Sequence, residues 1–129
     1  MREKERVLKM GAKCNRFVRQ VTATQAAQII ERTKDKPVLV RFFAQWCGAC
    51  KESLPHVQEA ANEVCDEAEV IMVDGDNPFN RAWAEQQNIE AFPTVVAFRN
   101  GAAMAKLEGG QDTAGYVDFF KKWTKPTGE

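Results

Sequence analysis

The chain has 129 residues, 44% of them hydrophobic, and this length and content predict one domain around a single buried core. The 18 basic and 18 acidic side chains give a formal net charge of zero, which argues against nucleic acid or an anionic membrane surface as a partner. No segment approaches the roughly 18 consecutive apolar residues of a membrane span. We therefore expect a soluble monomer.

The beginning of the chain is locally basic. Its apolar residues are interrupted by charged ones, whereas a secretory signal needs about 7 to 15 apolar residues in a row. We expect a flexible basic leader over residues 1–15 and a globular domain over residues 16–129.

Strands and helices then alternate along the chain. Residues 17–21 predict a short strand, and the hydroxyl groups of residues 22–24 can cap a helix that runs over residues 25–32. Residues 38–44 are almost continuously apolar, which is typical of a strand covered on both faces. This segment is the predicted central strand.

The longest predicted helix spans residues 47–64, and Pro55 should kink it. Its apolar positions recur at helical spacing and define one buried face: Leu54, Val57, Ala60, Ala61 and Val64. A second buried strand is predicted over residues 70–73. The turn-rich residues 74–78 lead into a helix whose apolar side should carry Phe79, Ala82 and Trp83.

The pattern changes towards the end of the chain. Residues 94–98 and 102–107 read as a hairpin around an Asn100-Gly101 turn, and a helix follows over residues 112–123. The apolar stripe of this last helix is Tyr116, Val117, Phe120 and Trp123. Together these elements predict an α/β fold with a mixed sheet of about five strands and four flanking helices.

The chemistry is indicated by Cys47-Gly48-Ala49-Cys50, which follows the central strand and opens a helix. A cysteine in the first helical turn faces unpaired N–H groups and the positive end of the helix dipole, which favour its thiolate. We predict Cys47 as the nucleophile and Cys50, one turn further and more buried, as the resolving thiol. The alternatives are two core cysteines or half of a zinc site.

The remaining cysteines, Cys14 and Cys65, are interpreted as spare thiols, with a regulatory role as the alternative. Unpaired cysteines favour a reducing compartment and hence the cytoplasm. No metal site is expected, because His56 is the single histidine and no second close cysteine pair exists. His56 lies too far along the helix for a direct acid-base role. Trp83 and Trp123 are expected in the core.

Several separated motifs resemble the thioredoxin family over about residues 17–123. The segment 42–51, Phe-Phe-Ala-Gln-Trp-Cys-Gly-Ala-Cys-Lys, is similar to the family's active-site sequence, and Pro55 matches its helix proline. The resemblance implies a thioredoxin fold, a cis Phe92-Pro93 peptide, and dithiol-disulfide exchange with disulfide-containing protein substrates. It implies no cofactor and a separate reductase as electron donor. The substrate-binding residues it implies are Trp46, Gly48, Ala49, Phe92, Pro93, Thr94, Gly109 and Gly110.

The chain departs from the family in three features that bear on redox chemistry. Arg41 stands where the family has a buried carboxylate, and residues 70–73 lack the lysine that commonly pairs with it. A charge inside an apolar strand must reach solvent, lie at a strand edge or pair with a carboxylate. Arg41 could also stabilise the cysteine thiolates and make the disulfide more oxidising. Ala49 replaces a proline that preorganises the helix start, which should also make the couple less reducing.

Two other functions remain open at this point. The same cysteines could run in the opposite direction in a disulfide oxidase or isomerase. The fold could also serve a non-catalytic adaptor that only binds partners. A periplasmic or organellar location is the alternative to the cytoplasm if a targeting segment has been removed.

Overall fold

The computed structural model describes residues 14–124, in which five strands and four helices alternate. The predicted fold class is confirmed. In chain order the elements are β1 Arg19–Gln20, α1 Ala23–Arg32, β2 Val38–Phe43, α2 Gly48–Glu63, β3 Glu69–Asp74, α3 Pro78–Gln86, β4 Thr94–Arg99, β5 Ala102–Glu108 and α4 Thr113–Thr124.

The strands form one mixed sheet in the order β1-β3-β2-β4-β5. β1 and β2 both pair with β3 in parallel, whereas β4 pairs with β2 and with β5 in antiparallel fashion. β2 therefore lies at the centre with neighbours on both sides and core on both faces, which explains its unbroken apolar run.

Each face of the sheet carries its own apolar cluster. On one face, Trp83 packs between Phe42 and Phe98, with ring centroids 5.3 and 6.3 Å away. On the other face, Tyr116 and Phe120 of α4 are fully buried with the apolar side of α2, and Trp123 packs against them. The predicted core placement of Trp83 and Trp123 is confirmed. No helix within residues 14–124 is both long and apolar enough to cross a bilayer.

Local signals set several element ends. Thr22 caps α1 through a capping box with Gln25, so the helix begins two residues earlier than predicted. The hairpin turn is confirmed, because Asn100 and Gly101 have φ values of 52° and 83°, as a two-residue turn between antiparallel strands requires. β1 contains only two of the five predicted strand residues.

The predicted apolar side of α3 is wrong at two of its three positions, since of these residues only Trp83 packs against the core. Phe79 is 94% exposed and Ala82 is also exposed, whereas Asn80 and Ala84 are buried. The Asn80 side chain donates to Asp74 O at 3.0 Å and accepts from Ala23 N at 2.9 Å. A polar residue thus takes the inward position because it satisfies backbone groups of two other segments.

The interpretation of Cys14 and Cys65 as spare thiols is wrong, because they form a disulfide with a Cα–Cα distance of 6.3 Å. The chain before β1 is held on α2 by Asn62, which accepts from Arg16 N and donates to Arg16 O, both at 2.9 Å. The backbone N–H of Cys14 also donates to Asn62 O at 3.2 Å. Apart from residues 14 and 15, the predicted leader lies outside the described residues.

This disulfide also bears on metal binding. Within residues 14–124, the single group of three potential ligands consists of Cys14, Cys65 and Asp66, with ligand atoms within 4.8 Å of one another. Both sulfur atoms are already bonded to each other, so the oxidised protein does not offer them as thiolate ligands.

Candidate active site

Cys47 lies between the end of β2 and the first turn of α2, where it is the N-cap residue. The backbone N–H of Cys50 donates to Cys47 Sγ at 3.1 Å, and Cys47 Sγ lies 3.5 Å from Phe92 O. A side chain at this position receives an otherwise unpaired helix N–H and faces the positive end of the helix dipole. The geometry thus favours negative charge on this sulfur.

Cys50 lies within the first turn of α2, and both cysteines are free thiols. Both are also buried, with exposed fractions of 6% for Cys47 and 4% for Cys50. Burial raises the pKa of the Cys50 thiol from 9.0 to about 11, and its hydrogen bond with Cys47 acts in the same direction. The second thiol is therefore protonated at neutral pH, as a resolving group protected from outside reagents should be.

Arg41 differs most from expectation. It is 1% exposed and lies in the central strand. Among the described residues, its guanidinium contacts only neutral oxygens: Cys50 O at 2.7 Å, Tyr116 Oη at 3.1 Å and Ser53 Oγ at 3.2 Å. The expectation of an edge position, a carboxylate partner or a solvent-exposed head is wrong. Arg41 pairs in register with Met72 of β3, so the neighbouring strand supplies no charge at that position. Its positive charge opposes the rise of the Cys50 pKa.

Trp46 forms the exposed wall beside Cys47. Its indole Nε1 donates to Asp76 Oδ2 at 3.0 Å, and its ring meets Phe92 edge-on at a centroid distance of 6.0 Å. Phe92 in turn packs against the cysteines and against Gly75, where an added Cβ would lie 2.7 Å from Phe92 Cε1. The loop after β3 thereby positions both aromatic walls.

The other predicted substrate-binding residues converge on the same side. The Phe92-Pro93 peptide is cis, as expected, and Gly109 N donates to Pro93 O at 2.8 Å. Gly110 lies against α2, where a Cβ would meet Ala49 O at 3.4 Å. Thr94 Oγ1 donates to Ala91 O at 2.7 Å, and Gly48 has open space around it. Their roles in substrate binding remain predictions.

The sequence did not reveal Ser53 and Tyr116 as part of this site. Ser53 Oγ donates to Ala49 O at 2.7 Å and accepts from Arg41, while Tyr116 reaches Arg41 from α4. Spacing could have suggested Ser53, one helical turn after Ala49, but the contact of Tyr116 depends on tertiary packing. His56 lies apart from the cysteine contacts, with Nδ1 2.8 Å from Thr113 Oγ1 in a link between α2 and α4.

Comparison with known proteins agrees with this arrangement. Residues 17–122 match the thioredoxin family model. The chain is 38% identical to a thioredoxin of Mycolicibacterium smegmatis over 61% of its own length and 70% of the relative's. It is 32% identical to chloroplastic thioredoxin Y of Oryza sativa subsp. japonica, covering 77% of the chain and 57% of that protein.

A protein disulfide isomerase-like protein 1-1 of Arabidopsis thaliana matches at 32% identity over 69% of the chain, but this covers only 19% of the plant protein. Among solved structures, Fasciola hepatica thioredoxin superposes with a TM-score of 0.73 at 28% identity, covering 82% of this chain and 99% of that one. Members of this family are thiol-disulfide oxidoreductases. The sheet order, the cysteine pair at the helix start and the family match over residues 17–122 show that the chain belongs to the thioredoxin family.

Proposed function

We propose that this protein exchanges disulfides with protein substrates through a reversible Cys47-Cys50 dithiol/disulfide couple, acting as a protein-disulfide reductase. The observation that carries the proposal is the hydrogen bond from Cys50 N to Cys47 Sγ at the start of α2. It favours an attacking sulfur at the helix end and places a second, protonated thiol in the same turn.

The exchange proceeds in two steps. Cys47 Sγ attacks one sulfur of a substrate disulfide, the substrate S–S bond breaks, and the other substrate sulfur leaves as a thiolate. Cys50 then releases its proton to solvent and attacks Cys47 Sγ, which forms the Cys47-Cys50 disulfide and frees the second substrate thiol. The substrate gains two electrons, the protein loses two, and a separate reductase returns them.

The substrate peptide is proposed to lie across Trp46 and the Pro93 loop, beside Gly109 and Gly110. Trp46 and Phe92 offer apolar walls, while the backbone beside Pro93 offers hydrogen-bonding groups to an extended chain. Gly48 and Ala49 border the same surface from α2, and the absence of a side chain at Gly110 keeps the backbone close to Ser53.

Two residues are proposed to set the reduction potential. The positive charge of Arg41 is buried beside Cys50 and favours the thiolate, and therefore the reduced state. Ala49 leaves the turn between the cysteines less preorganised than proline does. Both effects make the disulfide more oxidising, so the oxidase or isomerase direction remains the second candidate.

The location is also a proposal. The cytoplasmic expectation depended on unpaired cysteines, and Cys14 and Cys65 are instead joined in a disulfide. Because such bonds persist mainly in oxidising compartments, we favour the periplasmic or organellar alternative. A monomeric state is likewise proposed.

An insulin-reduction assay with a thioredoxin reductase tests the proposal. We expect turnover by the wild type, none by Cys47→Ser, and a trapped mixed disulfide on Cys47 in Cys50→Ser, visible by mass spectrometry. The matched control is Cys14→Ser/Cys65→Ser, which leaves the reactive pair intact and should keep activity. Partner capture that is unchanged in Cys47→Ser/Cys50→Ser, without reductase turnover by the wild type, would favour the adaptor instead.

A further inference from the structure

A cavity of about 280 Å3 lies between the end of β2 and the first turns of α2. Arg41 and Cys50 line it, and both side chains are more than nine-tenths buried. A water molecule takes about 30 Å3 in the liquid, so the space holds several waters or one small organic molecule.

None of the described residues neutralises the charge of Arg41. Across residues 14–124, no carboxylate oxygen lies within 4 Å of its guanidinium nitrogens, and its three hydrogen-bond acceptors are all uncharged. Its buried Nε–H has no acceptor in the part of the chain that the structure describes. An unpaired buried cation is unfavourable because water is excluded and no anion replaces it.

The rest of the cavity lining is suited to an anion rather than to a cation. Lys51 adds a second positive charge, Gln20 and Gln45 supply amides, and none of the described lining residues is a carboxylate. The remaining walls are apolar and include Phe43, Leu54 and Met72. Positive charge at one side and hydrocarbon at the others fit a molecule that has an anionic head and a short alkyl chain.

We propose that this cavity binds a small aliphatic carboxylate as the counter-ion of Arg41. The carboxylate shares the cavity with Cys50, so its occupancy is coupled to the redox state of the pair. In the reduced protein Cys50 is a neutral thiol, and negative charge is favoured on Cys47 Sγ, which accepts from Cys50 N at 3.1 Å in the same helical turn. A disulfide carries no charge, so an anion beside Cys50 is repelled less by the oxidised protein and prefers it. By linkage, the carboxylate therefore makes the couple more reducing.

Binding is tested by thermal unfolding of the oxidised full-length protein in sodium acetate, sodium butyrate or sodium chloride at equal ionic strength and pH. We expect a saturable rise in Tm with both carboxylates relative to chloride, because a ligand that binds only the folded state stabilises it. Arg41→Met, which removes the charge and keeps an unbranched apolar chain, should abolish the rise. Lys121→Gln removes a positive charge from α4, far along the chain from the cavity lining, and should keep it.

A second variant tests the same proposal in case Arg41→Met does not fold. Leu54 is 38% exposed at the cavity, and Leu54→Trp fills the space from the helix surface without touching the guanidinium contacts. The carboxylate-specific rise should disappear in this variant too. Equal Tm curves in carboxylate and chloride, or a rise that persists in Leu54→Trp, would overturn the proposal.

The redox coupling is measured separately, with the midpoint potential of the Cys47-Cys50 couple in glutathione buffers. A tenfold preference of the carboxylate for the oxidised protein shifts the potential by about 30 mV in the reducing direction. A potential that is the same in saturating acetate and in chloride contradicts the coupling. The Tm measurement does not depend on redox activity, so failure of the anion site and failure of the reductase function are distinguishable.

Discussion

Opposing effects act on the thiol of Cys50. Burial withdraws water from it and raises its pKa to about 11, whereas the guanidinium of Arg41 favours its ionised form. Burial dominates because Arg41 donates its hydrogen bonds to the Cys50 carbonyl, Ser53 and Tyr116 rather than to the Cys50 sulfur. The resolving cysteine is thus kept neutral until the mixed disulfide has formed beside it.

This raised pKa makes the stability of the reduced protein depend on alkaline pH. Between about pH 9 and 11 the folded state keeps the Cys50 proton that the unfolded state has lost, so stability present below pH 9 is lost as pH rises through 11. Relative to Cys50→Ala, the wild type should lose free energy of unfolding on the order of 1–3 kcal/mol. Urea unfolding of both reduced proteins at pH 8 and pH 11 measures this, and a constant difference between them would contradict it.

Among the elements, α2 has a functional cysteine pair at its start and a disulfide-bonded cysteine just after its end. Its first turn holds the reactive pair, and Cys65, just after its last turn, is bonded to Cys14. Between these ends, the side chains of Gln58 and Asn62 bind the backbone of residues 16–18. One face of α2 thus fixes the beginning of the described chain, and the position of the helix in turn fixes Cys47 relative to the sheet.

Removal of the Cys14-Cys65 bond should lower stability more than activity. It closes a loop with a sequence separation of 51, and such a link typically stabilises a protein by about 2–4 kcal/mol. In a Cys47→Ser/Cys50→Ser background, we expect reductant to lower Tm. The quadruple serine variant should show the low Tm with or without reductant; equal Tm values throughout would contradict a stabilising bond.

For the whole molecule, the site is assembled from segments at one end of the sheet: the turn after β2, the loop after β3, and the loop before β4. The loop after β3 meets the loop before β4 at Gly75, where the absence of a Cβ leaves room for the Phe92 ring. The loop after β3 also supplies Asp76, which holds the Trp46 indole. Packing between the loops therefore sets the shape of the proposed substrate surface.

Gly75→Ala should disturb this assembly. The added Cβ would lie 2.7 Å from Phe92 Cε1, so the ring, which also packs against the cysteines, must shift away from residue 75. We expect a loss of about 1–3 kcal/mol in the free energy of unfolding and slower insulin reduction. Gly48→Ala is the steric control, since nothing lies within 4 Å of its added Cβ and stability should not fall. Unfolding curves that are the same for Gly75→Ala and wild type would show that the contact is not needed.

The sequence predicted the strands, helix starts and turns that depend on local residue patterns. It did not predict contacts between residues that are far apart in the chain. The central strand, the cysteine pair at a helix start and the Asn100-Gly101 turn follow from apolar runs, capping and turn chemistry. The disulfide and the neutral surroundings of Arg41 could not be predicted, because each joins segments far apart in the chain. The inward position of Asn80 was missed for the same reason.

The bond between Cys14 and Cys65 also gives the chain a covalent ring that contains both reactive cysteines. A protease that cuts one peptide bond inside this ring leaves two pieces still tethered, so the nicked protein runs as one band on a non-reducing gel. A cut after Cys65 releases a fragment at once. Proteolytic cleavage between Cys14 and Cys65 is therefore detected on a gel only after a reductant has opened the ring.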